Sequence, residues 1–156
     1  MGQNHQQAIV GLYGYSQSGK TTLIKNIIRI YTERGISIGV IKITDKPISS
    51  EPEGKDTHVF RKSGADITIL SSPAETSFVL NQAVEIQLVL KNIALISDVD
   101  LVIIEGAHSE FIPKIRIGDI PIRSNTLFTF SGNIEEVVET IEVLLIRKGL
   151  SNENHN

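Results

Sequence analysis

The chain has 156 residues, a formal net charge of −3, 40% hydrophobic and 21% charged residues, and no cysteine. This is the composition of a globular chain able to bury a substantial single core, not of a disordered one. The negative balance argues against a domain built to coat nucleic acid, and the missing cysteines exclude disulfides, thiolate metal sites and cysteine nucleophiles, while being compatible with a reducing cytoplasm.

Met1–Gln7 is polar, lacks the apolar centre of a signal peptide and reads as a flexible N-terminus. No apolar run reaches membrane-spanning length, so no membrane partner is expected. Ala8–Tyr13 reads as a buried strand, followed by the stretch GYSQSGKTT at Gly14–Thr22. Residues 20–34 read as a helix, with Leu23, Ile27, Ile30 and Tyr31 at helical spacing and Gly35 as the stop signal. The β-branched run Ile36–Ile43 reads as a second strand, and a loop runs from Thr44 to Gly54. Asp56–Ser63 forms a short helix before Gly64. Ile67–Leu70 and Thr76–Leu80 form strands about a Ser-Ser-Pro turn.

Val84–Ile96 is an amphipathic helix. Leu101–Ile104 is continuously apolar between Asp100 and Glu105, as a central parallel strand should be. The two-residue loop Gly118-Asp119 predicts a hairpin that pairs Ile117 with Ile120 and Ile115 with Ile122. In that hairpin the four isoleucines share one face and Lys114, Arg116 and Arg123 the other. Such an apolar face at a sheet edge needs cover, either from the chain's own helices or from a second subunit, which would put residues 112–123 at or beside a homodimer interface. Leu127–Phe130 is a last strand, and Asn133 caps a helix running to about Arg147. Residues 149–156 read as a flexible tail. Alternating strands and helices predict one α/β domain at 8–148, with a mostly parallel sheet flanked by helices and a β-hairpin extension.

Gly14 to Thr21 fits the pattern G-x-x-x-x-G-K-[ST] between a strand and a helix, which places the domain in the P-loop NTPase class. The chemistry requires these residue types. Gly14 and Gly19 let the backbone turn its N–H groups toward phosphate oxygens, helped by the intervening Ser16, Gln17 and Ser18. The helix start adds positive dipole, Lys20 reaches terminal phosphates, the Thr21 hydroxyl suits Mg²⁺, and Thr22 is placed for an α-phosphate. Tyr15 stands where a second lysine would mark a partitioning ATPase.

Ligands gather at the carboxyl ends of parallel strands. Glu105 ends its strand there and can hold a metal-bound water or act as a solvated rim acid. Asp56 follows a long loop, as a switch-type metal or water ligand does, and can equally cap the next helix. Lys42 ends the second strand on the same rim, as a phosphate contact or an edge lysine. His58 and His108 have no partner at ligand spacing and read as ordinary polar residues.

GYSQSGKTTL at 14–23, GKDTHVFRKSGAD at 54–66, LVIIEG at 101–106 and PKIRI at 113–117 resemble, in this order, the molybdopterin-guanine dinucleotide biosynthesis protein B (MobB) family. The resemblance covers nearly the whole chain. It implies a cytoplasmic GTP-binding protein, usually a dimer, with weak Mg²⁺-dependent GTPase activity. Its implied partners are the nucleotidyltransferase that attaches GMP to molybdopterin, and molybdoenzymes. Gly19, Lys20 and Thr21 then bind phosphate and Mg²⁺, and Asp56 and Glu105 belong to the metal and hydrolysis region. The chain departs from the family at Ile43-Thr44-Asp45, where histidines are common, and at Ala107-His108, where an aromatic and a lysine are common. No N-K-x-D guanine-reading motif occurs, so GTP preference comes from the resemblance alone. Two other readings stand at this point. One is a P-loop kinase for a small metabolite, although its lid would need arginines and Arg61, Arg116 and Arg123 are scattered. The other is a nickel-chaperone-type GTPase, against which the absence of cysteine–histidine metal spacing counts.

Overall fold

The computed structural model describes residues 7–50 and 52–149. Apart from Gln7 and Gly149, the two flexible ends expected at 1–7 and 149–156 lie outside the described residues. In chain order the elements are β1 (Ala8–Gly14), α1 (Lys20–Glu33), β2 (Ile38–Lys42), α2 (Asp56–Lys62), β3 (Ile67–Ser71), β4 (Thr76–Leu80), α3 (Ile86–Ile96), β5 (Leu101–Glu105), β6 (Lys114–Ile117), β7 (Thr126–Phe130) and α4 (Ile134–Arg147). They fall into two compact units, Met1–Thr44 with Leu90–Asn156 and Asp45–Val89.

The first unit is built on a parallel sheet in the order β2-β5-β1-β6-β7. β5 lies between β2 and β1, which explains why Leu101–Ile104 is apolar at every position: both faces are covered and all four residues are fully buried. On one face Val10, Leu12, Ile103 and Ile115 pack with Ile27 and Tyr31 of α1 and with Val137, Ile141 and Leu145 of α4. Each such side chain contributes about 1.5–3 kcal/mol by leaving water.

Tyr31 also ties the two helices together. Its hydroxyl donates to the Val138 carbonyl at 3.0 Å. Beside it Arg34 pairs with Glu142 at 2.6 Å. Burial, and then the nearby Glu142 carboxylate, push the Tyr31 phenol far above its usual range, so it remains a neutral donor.

Local chemistry sets the element ends. After α1, the Gly35 amide donates to Thr32 and the Ile36 amide to Tyr31, the paired bonds of a Schellman cap. Ile36 is thereby spent on the helix, and β2 begins two residues later than the apolar run suggests. At the start of α4 the Asn133 side chain accepts from the Glu135 amide at 3.0 Å, a cap worth about 1 kcal/mol.

The second unit contains the antiparallel hairpin of the fold, β3 with β4, in register from Ile67 opposite Leu80 to Ser71 opposite Thr76. The Ser72 hydroxyl accepts from the Ala74 and Glu75 amides and fixes the turn. α2 accompanies this hairpin but buries none of its own residues.

The hairpin expected at 115–122 does not form. Ile115 and Ile117 instead belong to β6, which pairs parallel with β1 on one side and β7 on the other. Ile115 is fully buried and Ile117 nearly so, within their own unit. Lys114, assigned by alternation to an outward basic face, is also fully buried. The local Gly-Asp turn signal is overridden because the hydrogen-bonding edge of β6 is taken by β1, a partner about a hundred residues earlier. The dimer interface proposed for residues 112–123 loses its apolar face with it. Ile115→Ala should destabilise the protein by about 2–5 kcal/mol, read from the midpoint of urea unfolding, as expected for a core isoleucine. A change within error would mean that β6 is not part of the core.

Candidate functional site

β1 ends at Gly14, and the chain turns through Tyr15–Gly19 into α1. Gly19 occupies the N-cap position with φ +94° and provides no side-chain cap, and the first turn of α1 carries no acidic residue. The opening N–H groups of α1 therefore have no side-chain acceptor at the cap, and the positive end of the helix dipole meets no carboxylate in that turn. Gln17 adopts a left-handed conformation at φ 62°. Thr21 and Thr22 are exposed.

The Lys20 ammonium folds back over the loop. It donates to the Gly14 carbonyl at 2.9 Å, to the Tyr15 carbonyl, and at 3.4 Å to the Ser18 hydroxyl. These carbonyls hold the amine at the mouth of the loop, where an oxyanion can replace them. The arrangement suits a phosphate group.

Glu105 lies on the adjoining strand. It stands opposite Leu12 of β1 and opposite Lys42 of β2, so one row across the sheet brings both rim residues alongside the strand that leads into the loop. Neighbouring strands lie about 4.8 Å apart. Glu105 is half-buried and Lys42 exposed.

The turn after Glu105 is tightly confined. The Gly106 amide donates to the Leu12 carbonyl, and the Ile43 amide to the Glu105 carbonyl. Gly106 has φ +81°, and a Cβ there would come within 2.5 Å of the Ile43 carbonyl oxygen. Only glycine meets both demands.

The first unit thus brings together Gly14, Ser16, Gln17, Ser18, Gly19, Lys20, Thr21, Thr22, Lys42 and Glu105 at the carboxyl end of the sheet. Asp56 lies in the second unit, where it opens α2. Lys55, not Asp56, holds the cap position, without a side-chain cap bond, and Asp56 sits in the first turn, favourably placed for the dipole. Asp56 also lines a recess with Lys55, Thr57, Leu70, Ser77 and Phe78. His58 accepts through Nδ1 from Arg61 at 3.4 Å, since the guanidinium can only donate. His108 is exposed.

Sequence reasoning missed a second set of groups beside the site. Arg123 donates to the Ala107 carbonyl at 2.7 Å, and its guanidinium lies 4.7 Å from the centre of the Tyr13 ring. Lys114 donates to the Ser109 and Ile112 carbonyls, both at 2.7 Å. Burial, then the nearby Arg123, push its ammonium below the usual lysine range. The only hint in the sequence is a lysine directly beside the apolar Ile115.

Residues 9–140 match the family described as molybdopterin guanine dinucleotide synthesis protein B. A putative molybdopterin-guanine dinucleotide biosynthesis adapter protein of Methanocaldococcus jannaschii is 36% identical over 114 residues, covering 69% of this chain and 45% of that protein. The molybdopterin-guanine dinucleotide biosynthesis adapter protein of Escherichia coli K12 is 34% identical over 110 residues, covering 69% of this chain and 63% of that protein. The chain therefore spans less than two thirds of either relative. A crystal structure of Bacillus subtilis MobB superposes with a TM-score of 0.67 at 19% identity, over 85% of this chain and 96% of the other. A MobB homologue from Bacillus stearothermophilus gives 0.61 at 18%, over 93% and 100%. At these identities the superpositions show a common fold: a mostly parallel sheet flanked by helices.

Gly106→Ala should lower the thermal midpoint by several degrees, because the Cβ has no room and the conformation is strained, together costing about 1–3 kcal/mol. Differential scanning calorimetry reads this directly, and an unchanged midpoint would contradict the close approach to Ile43.

Proposed function

Because the chain belongs to the molybdopterin guanine dinucleotide synthesis protein B family, we propose that it is a GTP-binding accessory protein with slow, Mg²⁺-dependent GTPase activity. In this reading it works in the cytoplasm and assists a nucleotidyltransferase in attaching GMP to molybdopterin. The observation that carries the reading is the side-chain-uncapped start of α1 behind Gly14–Gly19, with Lys20 held at its mouth. Lys20 exchanges its carbonyl partners for phosphate oxygens. The loop N–H groups take up the remaining charge.

Thr21 and Glu105 are the groups of the first unit that would hold Mg²⁺ or its waters; Asp56, at the start of α2, is a separate candidate within its own unit. When bound, the ion supplies charge neutralisation across the phosphates. Glu105 orients water, and Lys42 adds positive potential along the same row. The kinase alternative is weakened by its own arginines. Arg116 is bound to Thr129 and to the Ile120 carbonyl, and Arg123 to the Ala107 carbonyl, so neither belongs to a lid.

The homodimer moves from residues 112–123 to the second unit. Ile67 and Ile69 of β3 lie opposite Leu80 and Phe78 of β4 on one face of the hairpin, and all four are 46–54% exposed. A two-stranded sheet is marginal alone, and an apolar face of this kind calls for cover. A second copy of the chain presents the same face and can provide it.

Calorimetric titration tests the nucleotide reading. Lys20→Ala should weaken GTP binding by about 1.5–3 kcal/mol, the value of a charge-assisted contact, and unchanged affinity would remove the cradle. Glu105→Gln should bind GTP as the parent does and hydrolyse it more slowly across a Mg²⁺ titration; equal hydrolysis would reduce Glu105 to a solvated acid. Phe78→Asp should convert a dimer to a folded monomer in sedimentation velocity. A parent that is already monomeric at high micromolar concentration would end the dimer proposal.

A further inference from the structure

The turn that follows Glu105 is fastened from behind by cations bound to backbone oxygens. Arg123 holds the Ala107 carbonyl at 2.7 Å. Lys114, fully buried, holds the Ser109 and Ile112 carbonyls. The Ala107 side chain is pressed against β1: a Cβ on Gly11 would lie 2.5 Å from that of Ala107. The segment from Ala107 to Ile112 is therefore gripped at its beginning and its end, with Gly106 bonded to β1 in between Glu105 and the grip.

Arg123 is itself seated by a closed set of hydrogen bonds. The Thr126 hydroxyl donates to the Arg123 carbonyl at 2.6 Å. Its only hydrogen is thereby used, so the 2.8 Å contact between Tyr13 and Thr126 must have Tyr13 as donor. The Tyr13 oxygen then accepts from the Arg123 amide at 3.1 Å. Every direction in this set is fixed. The Tyr13 ring lies under the guanidinium as well, and Tyr13 is the residue before Gly14, where the loop begins. One arginine thus links the residue that precedes the cradle to the turn that follows Glu105.

We propose that Arg123 is a positioning residue for Glu105, acting through the Ala107 carbonyl and the Gly106 turn, with Tyr13 as its seat. This rests on the reading of Glu105 as the hydrolytic group. The physical reason is reach. Arg123 is already committed to a carbonyl and a ring, so its effect on turnover comes through the backbone that carries Glu105. Small displacements of a reacting group cost rate much more than they cost binding.

The test is a double-mutant cycle on single-turnover GTP hydrolysis, with GTP affinity measured in parallel by calorimetry. Arg123→Ala should lower the hydrolysis rate about 10–100-fold, the cost of a displacement near 1 Å or less, with GTP affinity changed less than about threefold. In a Glu105→Gln background the same substitution should add nothing, since its effect passes through that side chain. Arg123→Lys, which keeps the charge and one donor, should recover part of the rate. Equal losses in both backgrounds would overturn the proposal, as would an Arg123→Ala rate equal to the parent. If Glu105→Gln alone leaves hydrolysis unchanged while GTP still binds, the reading of Glu105 fails and takes this proposal with it. Should Arg123→Ala not fold, Tyr13→Phe replaces it: the ring stays, the hydroxyl seat is lost, and a smaller rate loss, again absent in the Glu105→Gln background, is expected. No loss there would equally overturn the role.

Discussion

β1 is hydrogen-bonded along both edges, to β5 and to β6, and this double pairing decides where every group at the carboxyl end of the sheet lies. The register with β5 sets Leu12 beside Glu105. The register with β6 sets Gly14 beside Ile117, where a Cβ on Gly14 would strike the Ile117 carbonyl at 2.4 Å. A slip of one residue would turn Glu105 to the opposite face and bring Ile104 into its row. Apolar burial holds the register in place: Val10, Leu12, Ile103 and Ile115 all face the same core, and none can rotate out without exposing its neighbours.

On that frame the first unit uses one electrostatic device repeatedly. Lys20, Lys114 and Arg123 all donate to main-chain carbonyls, and the last two have no carboxylate in ion-pair contact among the described residues. Carbonyl dipoles satisfy the donors without cancelling the charge, so positive potential is retained close to the loop. Burial separates the roles. Lys20 is half-buried and can exchange partners. Lys114 is enclosed, bonded to both ends of a short segment, and serves as a fastening.

The second unit follows a different logic. Its hairpin and α2 enclose little: α2 buries none of its residues, and Val59, Phe60 and Phe78 are all half or more exposed. A body so poor in buried surface gains little stability from its own contacts. Covering its apolar surface by association with another protein would yield a hydrophobic gain.

The strand, glycine turn and helix of β1 and α1 were legible in the sequence because they are local. Gly14 to Thr22, the spacing of Leu23, Ile27 and Tyr31, the continuous run Leu101–Ile104 and the cap at Asn133 all depend on residues a few positions apart, and each reappears in the fold where its pattern placed it. The hairpin β3–β4 about Ser72 was equally local. The sheet order was not. Gly118-Asp119 carries a sound turn signal, yet Ile117 is claimed by Gly14, and the apolar residues of that segment go to β6 or to the loop beyond it. The burial of Lys114, the seating of Arg123 on Tyr13 and the grip on Ala107 likewise join residues far apart in the chain. Local pattern fixes which segments are strands and helices, because backbone dihedrals and side-chain alternation are set by near neighbours. Which strand takes which edge is a competition among distant partners for the same hydrogen bonds and the same core. That competition is decided only when the whole chain packs.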